Sequence, residues 1–214
     1  KKKLLNEFAL KDFETLIREL YFHKKENIIK EFEGEFRGFI FDKVQQKLFA
    51  FTNATSTQRV FYGKFDNEIF IDTSLIRLNE TLKNSGIKTV PRMEAVYQML
   101  CFNGLLERTT IIQNVNKVLD GHFLQIDLAK LQAEEIQYFT SFEETYFNGS
   151  KEKAYKTIHE IFTEAVQIEY SKDNEFGKNQ LSLLSGGLDS RVAMMYALKN
   201  NQSPENVLCF SQSG

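Results

Sequence analysis

Ser185-Gly186-Gly187-Leu188-Asp189-Ser190 is the stretch that decides how this chain is interpreted. The apolar run 181–184 precedes it and predicts a buried strand, and the run 191–198 follows it and predicts a buried helix. A second apolar run, 207–210, comes after Pro204 and predicts another strand. The order strand, glycine turn, helix, strand predicts a βαβ unit.

This turn has the chemistry of a phosphate-binding loop. Gly186 and Gly187 allow backbone conformations closed to other residues, so that N–H groups can converge on an anion at the helix N-terminus. Ser185 and Ser190 add hydroxyl donors. Asp189 repels phosphate, and its natural role is to hold a Mg²⁺ ion that bridges to phosphate.

Other glycine motifs do not fit the turn, because no Gly-Lys-Ser/Thr, Gly-x-Gly-x-x-Gly or Gly-x-Ser-x-Gly pattern is present. The alternative interpretation is a βα turn without ligand. In that case the glycines serve packing, and Asp189 and Ser190 cap the helix.

Composition limits the classes of protein that are possible. The chain has 214 residues, a formal net charge of −2 and 42% hydrophobic residues, which is ordinary for a globular protein. We therefore expect no nucleic-acid surface, and no apolar run of about 18 residues predicts a membrane span. Cys101 and Cys209 lie in apolar company and predict buried thiols of a cytoplasmic protein. The three histidines are too far apart to predict a metal site.

The rest of the chain predicts a mixed α and antiparallel β region and then a linker over 143–150. Apolar spacing predicts a helix over 4–20 and another between Pro91 and Gly104. After the linker, Ser150 is expected to cap an amphipathic helix, and a polar loop is expected over 171–179. Strands are predicted from aromatic and β-branched runs at 36–42, 48–52, 60–63, 68–71 and 122–126.

The glycine turn resembles the pyrophosphate loop of the ATP pyrophosphatases, and the order of parts resembles the asparagine-synthetase family of amidotransferases. Leu183 to Ser190 is similar to that family's ATP loop. Gly34 to Asp42 resembles its Gly-x-Phe-Ala-Phe-Ala-Leu-Tyr-Asp strand, and Arg108 to His122 resembles its segment ending in Leu-Pro-Gly-His.

The resemblance implies two domains. Residues 1–142 would form a glutaminase-like α+β domain, an Ntn-type αββα sandwich that is degenerate and lacks its N-terminal part. Residues 143–214 would form the truncated start of an α/β ATP-pyrophosphatase domain. The implied activity is ATP-dependent amide formation, in which a carboxylate is activated as an acyl-adenylate with release of pyrophosphate.

The resemblance also implies ligands and site residues. ATP and Mg²⁺ are expected, together with a carboxylate substrate and an amine or ammonia donor, and a homodimer is possible. Asp189 is expected to bind the metal, and Leu183 to lie near the adenine. Ser185, Gly186, Gly187 and Ser190 are expected to bind pyrophosphate oxygens.

The chain departs from the family pattern at several points. It opens with Lys1 where the family has a catalytic cysteine, and it ends at Gly214, before the family's acyl-substrate residues. Ala54 stands where an aspartate would bind the glutamine amino group, and alanine cannot pair with an ammonium group. We therefore hypothesise that glutaminase activity is lost. Arg191 replaces a small hydroxyl residue, and either adds a charge near phosphate or faces solvent.

Several functions remain open at this point. The same architecture suits β-lactam formation, lasso-peptide cyclisation and amidation of a sugar acid in surface-polysaccharide synthesis. A non-catalytic ATP-binding or scaffolding protein is a different class. A third possibility is that the N-terminal domain docks a partner, which a broad exposed apolar surface would favour.

Overall fold

The computed structural model of the protein describes residues 12–32, 34–140, 146–175, 181–200 and 206–209. The chain divides into two compact units, Lys1–Glu143 and Glu144–Gly214, and each is described by itself.

The first unit is built from three α-helices, a 3₁₀ helix and seven strands in its described part. Its elements in chain order are α1 (Phe13–Lys24), the 3₁₀ helix (Lys25–Glu31), β1 (Arg37–Asp42), β2 (Lys47–Thr52), β3 (Phe61–Phe65), β4 (Glu68–Asp72), α2 (Leu75–Asn84), α3 (Met93–Phe102), β5 (Val115–Lys117), β6 (His122–Asp127) and β7 (Gln132–Gln137).

The strands form two antiparallel sheets. One has the order β1-β2-β6-β7, and the other has the order β4-β3-β5. In the larger sheet Ala50 stands opposite Phe39 on one side and Leu124 on the other. This register puts Ala50 and Leu124 on one face, while the neighbouring Phe49 and Phe51 point to the opposite face.

Three apolar clusters put the elements of this unit into layers. In the first cluster, Leu16 and Leu20 of α1 pack with Phe49 and Phe51 of β2. The second lies between the sheets and joins Leu124 to side chains such as Val60 and Ile71. The third joins the smaller sheet to α2. The order of layers is therefore helix, sheet, sheet, helix, and the assignment to an Ntn-type family stays a prediction.

Most elements of this unit agree with the sequence patterns. The strands predicted at 36–42, 48–52, 60–63, 68–71 and 122–126 are confirmed as β1, β2, β3, β4 and β6. The helix after Pro91 is confirmed as α3, and Asn103 ends it in the left-handed conformation. The helix predicted over 4–20 is confirmed from Phe13, where the Asp12 side chain accepts a hydrogen bond from the Thr15 N–H. Residues 4–11 lie outside the described residues.

The interpretation of the cysteines was wrong. Cys101 and Cys209 are both exposed. Cys101 lies on α3, whose neighbouring large side chains are also exposed, so an apolar sequence context did not predict burial there. Tyr97, Leu100 and Phe102 of α3 are 63%, 78% and 64% exposed, and Ala95 is the buried residue of this helix.

The second unit contains one long helix and a βαβ unit. Its described elements are α4 (Lys151–Glu175), β8 (Leu181–Leu184), α5 (Leu188–Lys199) and β9 (Asn206–Cys209). The Ser150 hydroxyl accepts a hydrogen bond from the Lys153 N–H, which confirms the predicted cap. The loop expected from residue 171 was wrong up to Glu175, because α4 continues through these polar residues. Residues 176–180 and Phe210 lie outside the described residues.

Within the described ranges, no helix combines the length and apolar character needed to cross a bilayer. The longest, α4, has Lys, Glu and Asp along its whole length, which accounts for this result.

Two aspartates at hairpin turns accept backbone hydrogen bonds that lower their pKa values. The Asp42 carboxylate accepts backbone N–H bonds from Gln45 and Val44, and the Asp127 carboxylate accepts one from Lys130. The bond from Gln45 is the main cause that lowers the pKa of Asp42 below 3.8, and the bond from Lys130 does the same for the pKa of Asp127.

We expect the free energy of unfolding of the first unit to fall as the pH drops below about 4. The sign follows because each pKa is lower in the folded state, so the stabilisation is present above the unfolded pKa and is lost as the pH falls through the folded one. Urea unfolding measured across this pH range tests the prediction. The double variant Asp42→Asn/Asp127→Asn should show a shallower loss, and an unchanged slope would contradict it.

Candidate functional site

The Ser185–Ser190 turn lies where the sequence predicts it, between a strand and a helix of one βαβ unit. β8 and β9 pair in parallel, with Leu183 opposite Leu208, and α5 begins at Leu188. A parallel pair needs a crossover between its strands, and here α5 lies in that connection. The turn therefore connects the carboxyl end of β8 to the N-terminus of α5, where helical N–H groups have no intrahelical acceptor.

The two serines of the turn bind each other. Ser190 Oγ accepts the Ser185 N–H at 3.1 Å, and the two hydroxyl oxygens lie 2.9 Å apart. Ser185 Oγ also accepts the Gly187 N–H at 3.2 Å. These bonds join the start of the turn to the first turn of α5. Both hydroxyls therefore hold the loop together, a role that the sequence pattern did not predict.

The glycines leave open space and do not adopt unusual dihedral angles. Gly187 is the N-cap of α5 with φ −75° and ψ 165°, and neither glycine has a positive φ. The turn therefore does not use the left-handed conformations that its two glycines allow. A Cβ atom on Gly186 would meet no heavy atom within 4 Å, and one on Gly187 would lie 3.3 Å from Ser185 Oγ. Gly186 thus keeps the outer face of the turn free of side-chain atoms.

The structure does not support the alternative in which side chains cap this helix. Gly187 is the N-cap and makes no side-chain cap bond, while Asp189 and Ser190 are the second and third residues of α5. The Asp189 side chain is exposed at the same end of the helix as the turn. Leu183, at the third position of β8, is 56% exposed.

The donor set fits a nucleotide phosphate with its magnesium ion. Mg²⁺ is usually held by one or two carboxylates together with phosphate oxygens and water. Asp189 supplies one exposed carboxylate beside a glycine face that is open to an anion. Across the described residues, no group of three or more His, Cys, Asp or Glu gathers into a metal cluster.

Arg191 lies at the edge of the turn. Its Nε donates to the Gly187 carbonyl oxygen at 3.1 Å, and the side chain is exposed. The side chain therefore bends toward the N-terminus of α5 rather than extending away from it.

A second candidate site, in the first unit, surrounds Ala54. A cavity of about 530 Å³ lies beside it, and Lys30 is the charged residue in the described lining. Its walls include the rings of Phe32, Phe36 and Tyr138. The described part of this lining is thus mainly apolar and carries one positive charge, which does not attract an ammonium group.

The turn next to this cavity is saturated with internal hydrogen bonds. Asn53 is buried, and its Nδ2 donates to the hydroxyls of Thr55 and Thr57. Its Oδ1 accepts the Gln58 N–H at 3.2 Å. Sequence reasoning missed this network, although an Asn followed by hydroxyl residues at the second and fourth positions is typical of such turns.

No protein-family model matches the chain. The chain is 24% identical over 197 residues to a protein described as a probable asparagine synthetase (glutamine-hydrolysing) from Acanthamoeba polyphaga mimivirus. The aligned region covers 87% of this chain and 31% of that relative, so the chain spans about a third of the relative's length. This similarity supports a distant relationship to asparagine synthetase-like proteins and favours an amidotransferase or ligase-type function.

Proposed function

We propose that this chain belongs to an ATP-dependent ligase that forms amide bonds, with its nucleotide bound at the Ser185–Ser190 turn. One observation carries the proposal. A turn with an open glycine face joins a parallel strand to a helix N-terminus and has an exposed carboxylate, Asp189, beside it. The distant asparagine synthetase relative supports the same class of chemistry.

The proposed reaction has two steps. A carboxylate oxygen of the substrate attacks the α-phosphorus of ATP, and the bond to the pyrophosphate group breaks. An amine or ammonia then attacks the acyl carbon, AMP leaves with the bonding electron pair, and the nitrogen loses a proton. The protein mainly orients the reactants and stabilises negative charge.

Each residue of the turn has a distinct role in this proposal. The Gly186 N–H is assigned to the pyrophosphate group, and the Gly187 N–H joins it by exchanging its bond to Ser185 Oγ for a phosphate oxygen. Leu183 is assigned to the adenine. Asp189 would hold Mg²⁺, and the ion would neutralise phosphate charge. When Ser190 Oγ donates to Ser185 Oγ rather than to the Ser185 carbonyl oxygen at 3.3 Å, the Ser185 hydroxyl keeps its own proton for a phosphate oxygen, because a hydroxyl donates once and accepts twice. Ser190 then acts mainly by holding the turn.

Exchange of labelled pyrophosphate into ATP tests this function. The full-length protein is supplied with MgATP and the standard amino acids, aspartate included, as carboxylates. Carboxylate-dependent exchange is the expected result. A protein that binds MgATP but exchanges no pyrophosphate with any carboxylate supplied would contradict a ligase.

That second outcome would favour a docking function for the first unit. The exposed side chains of α3, with Leu100 at 78% exposure, form the kind of apolar surface that marks contact sites. The ligase remains our preferred proposal because the Ser185–Ser190 turn suits a definite ligand, whereas the exposure of α3 identifies no partner.

We expect no glutaminase activity from the full-length protein. The cavity beside Ala54 has a lysine and aromatic rings, whereas the amino group of glutamine needs an anion. Ammonia release from glutamine is measured by coupling it to NADH oxidation, with an authentic glutaminase as the positive control. Release above the rate without protein would contradict this prediction.

A further inference from the structure

The side chain of Arg191 is held at the end of α5 where a positive charge is least favourable. Arg191 is the fourth residue of the helix, and its Nε bond to the Gly187 carbonyl brings the guanidinium back to the first turn. Aligned peptide dipoles give a helix N-terminus a partial positive charge, so a cation there is destabilising. A basic residue at the opposite end, such as Lys199, has a favourable position.

Among the described residues, no carboxylate forms an ion pair with Arg191. Asp189 lies in the same helical turn, yet the contact of the guanidinium group is with the Gly187 carbonyl oxygen. The Nε bond uses one of the five N–H donors of the guanidinium group, and the four on its terminal nitrogens remain for a ligand.

The placement of the Arg191 guanidinium group is explained better by phosphate binding than by the stability of α5. A guanidinium group binds phosphate through two parallel hydrogen bonds, and anchoring at Nε reduces the conformational freedom lost on binding. Without Arg191, the charged groups of the turn from Ser185 to Arg191 would consist of the Asp189 carboxylate alone. A pyrophosphate group placed there would then meet no cationic side chain from this segment.

We propose that Arg191 is a phosphate-binding residue beside the Ser185–Ser190 turn. Its side chain, held by the bond to the Gly187 carbonyl oxygen, binds the pyrophosphate portion of the nucleotide. The role rests on the nucleotide site proposed above and adds to it a specific contact. It predicts that Arg191 discriminates among ligands by their phosphate groups and is indifferent to the adenosine portion.

Isothermal titration calorimetry of the full-length protein tests this role without any turnover. The probes are MgATP, magnesium pyrophosphate and AMP. In the variant Arg191→Gln we expect the affinity for MgATP and for pyrophosphate to fall about tenfold, the effect of losing a charged hydrogen bond, with AMP affinity unchanged. Arg191→Lys keeps the charge and loses the planar fork, so its affinity for pyrophosphate should lie between those of the wild type and Arg191→Gln.

Lys199→Gln is the matched control, because it removes the same charge from the exposed, opposite end of α5. Its pyrophosphate affinity should equal that of the wild type. Thermal unfolding followed by circular dichroism should shift only slightly, upward in Arg191→Gln and downward in Lys199→Gln, because both side chains are exposed and lie at opposite ends of the helix dipole.

The outcomes separate the two proposals. If the wild-type protein binds neither MgATP nor pyrophosphate, the nucleotide site itself is wrong, and the role of Arg191 with it. If the wild type binds both and Arg191→Gln binds pyrophosphate equally well, the nucleotide site stands and the role of Arg191 is overturned. An equal loss in Lys199→Gln would also overturn it, because general charge would then explain the effect.

Discussion

Replacing Asp189 with asparagine should lower the rate of ATP–pyrophosphate exchange by about a hundredfold or more. The substitution keeps the size of the side chain and removes the carboxylate that we assign to Mg²⁺. A metal ion that neutralises phosphate charge contributes several kcal/mol to a phosphoryl-group reaction, and each 1.36 kcal/mol is about a factor of ten in rate. The measurement is the initial rate of exchange as a function of Mg²⁺ concentration.

The position of Asp189 means that a loss of exchange activity can be assigned to the nucleotide site rather than to unfolding. The side chain is exposed and provides no cap for α5, so its replacement should lower the thermal stability of the second unit only slightly, through the loss of one carboxylate from the first helical turn. Glu160→Gln is the control, since it removes one negative charge from α4, where Glu160 pairs only loosely with Lys156 at 3.9 Å. Exchange at the wild-type rate in Asp189→Asn would remove the metal role from this residue.

The place of the turn between a strand and a helix was predictable from sequence, while its internal bonding was not. The glycines and hydroxyl residues between a predicted strand and helix are enough to indicate an anion site. That Ser185 and Ser190 bind each other depends on where the first turn of α5 brings Ser190, which follows from the three-dimensional path of the chain. The cavity beside Ala54 likewise depends on Lys30 and Tyr138, which are far apart in sequence.

Elements rich in apolar residues were predictable from the sequence. A strand that forms mainly because a neighbouring strand offers hydrogen bonds was missed. β1 and β2 are rich in aromatic residues, and their strands agree with the sequence pattern. β7 has the sequence QAEEIQ, whose charged and amide residues do not favour strands, and it forms because β6 offers it a hydrogen-bonding edge. α2 was also missed, although Ser74 at its N-cap and buried Leu78 and Leu82 four residues apart gave a readable helical signal.

Two glycines with similar backbone angles should respond very differently to alanine substitution, as measured by the loss in free energy of unfolding. Gly86, which follows α2, has φ +78° and no heavy atom within 4 Å of a built Cβ. Gly121, which precedes β6, has φ +69°, and its Cβ would lie 2.3 Å from the Phe139 carbonyl oxygen. We expect Gly86→Ala to cost about 1–2 kcal/mol, the usual penalty of a left-handed conformation.

Gly121→Ala should cost about 3–5 kcal/mol, because the left-handed penalty is joined by a backbone clash that no side-chain rotation relieves. The Gly121 carbonyl accepts the N–H groups of Tyr138 and Phe139 at 2.8 and 3.1 Å, so moving the chain away weakens both bonds at the end of β7. Urea unfolding of the two variants beside the wild type measures the difference. Equal losses of unfolding free energy in the two variants would mean that the chain after β7 moves easily to accept the added Cβ. The close approach at Gly121 would then have no structural role.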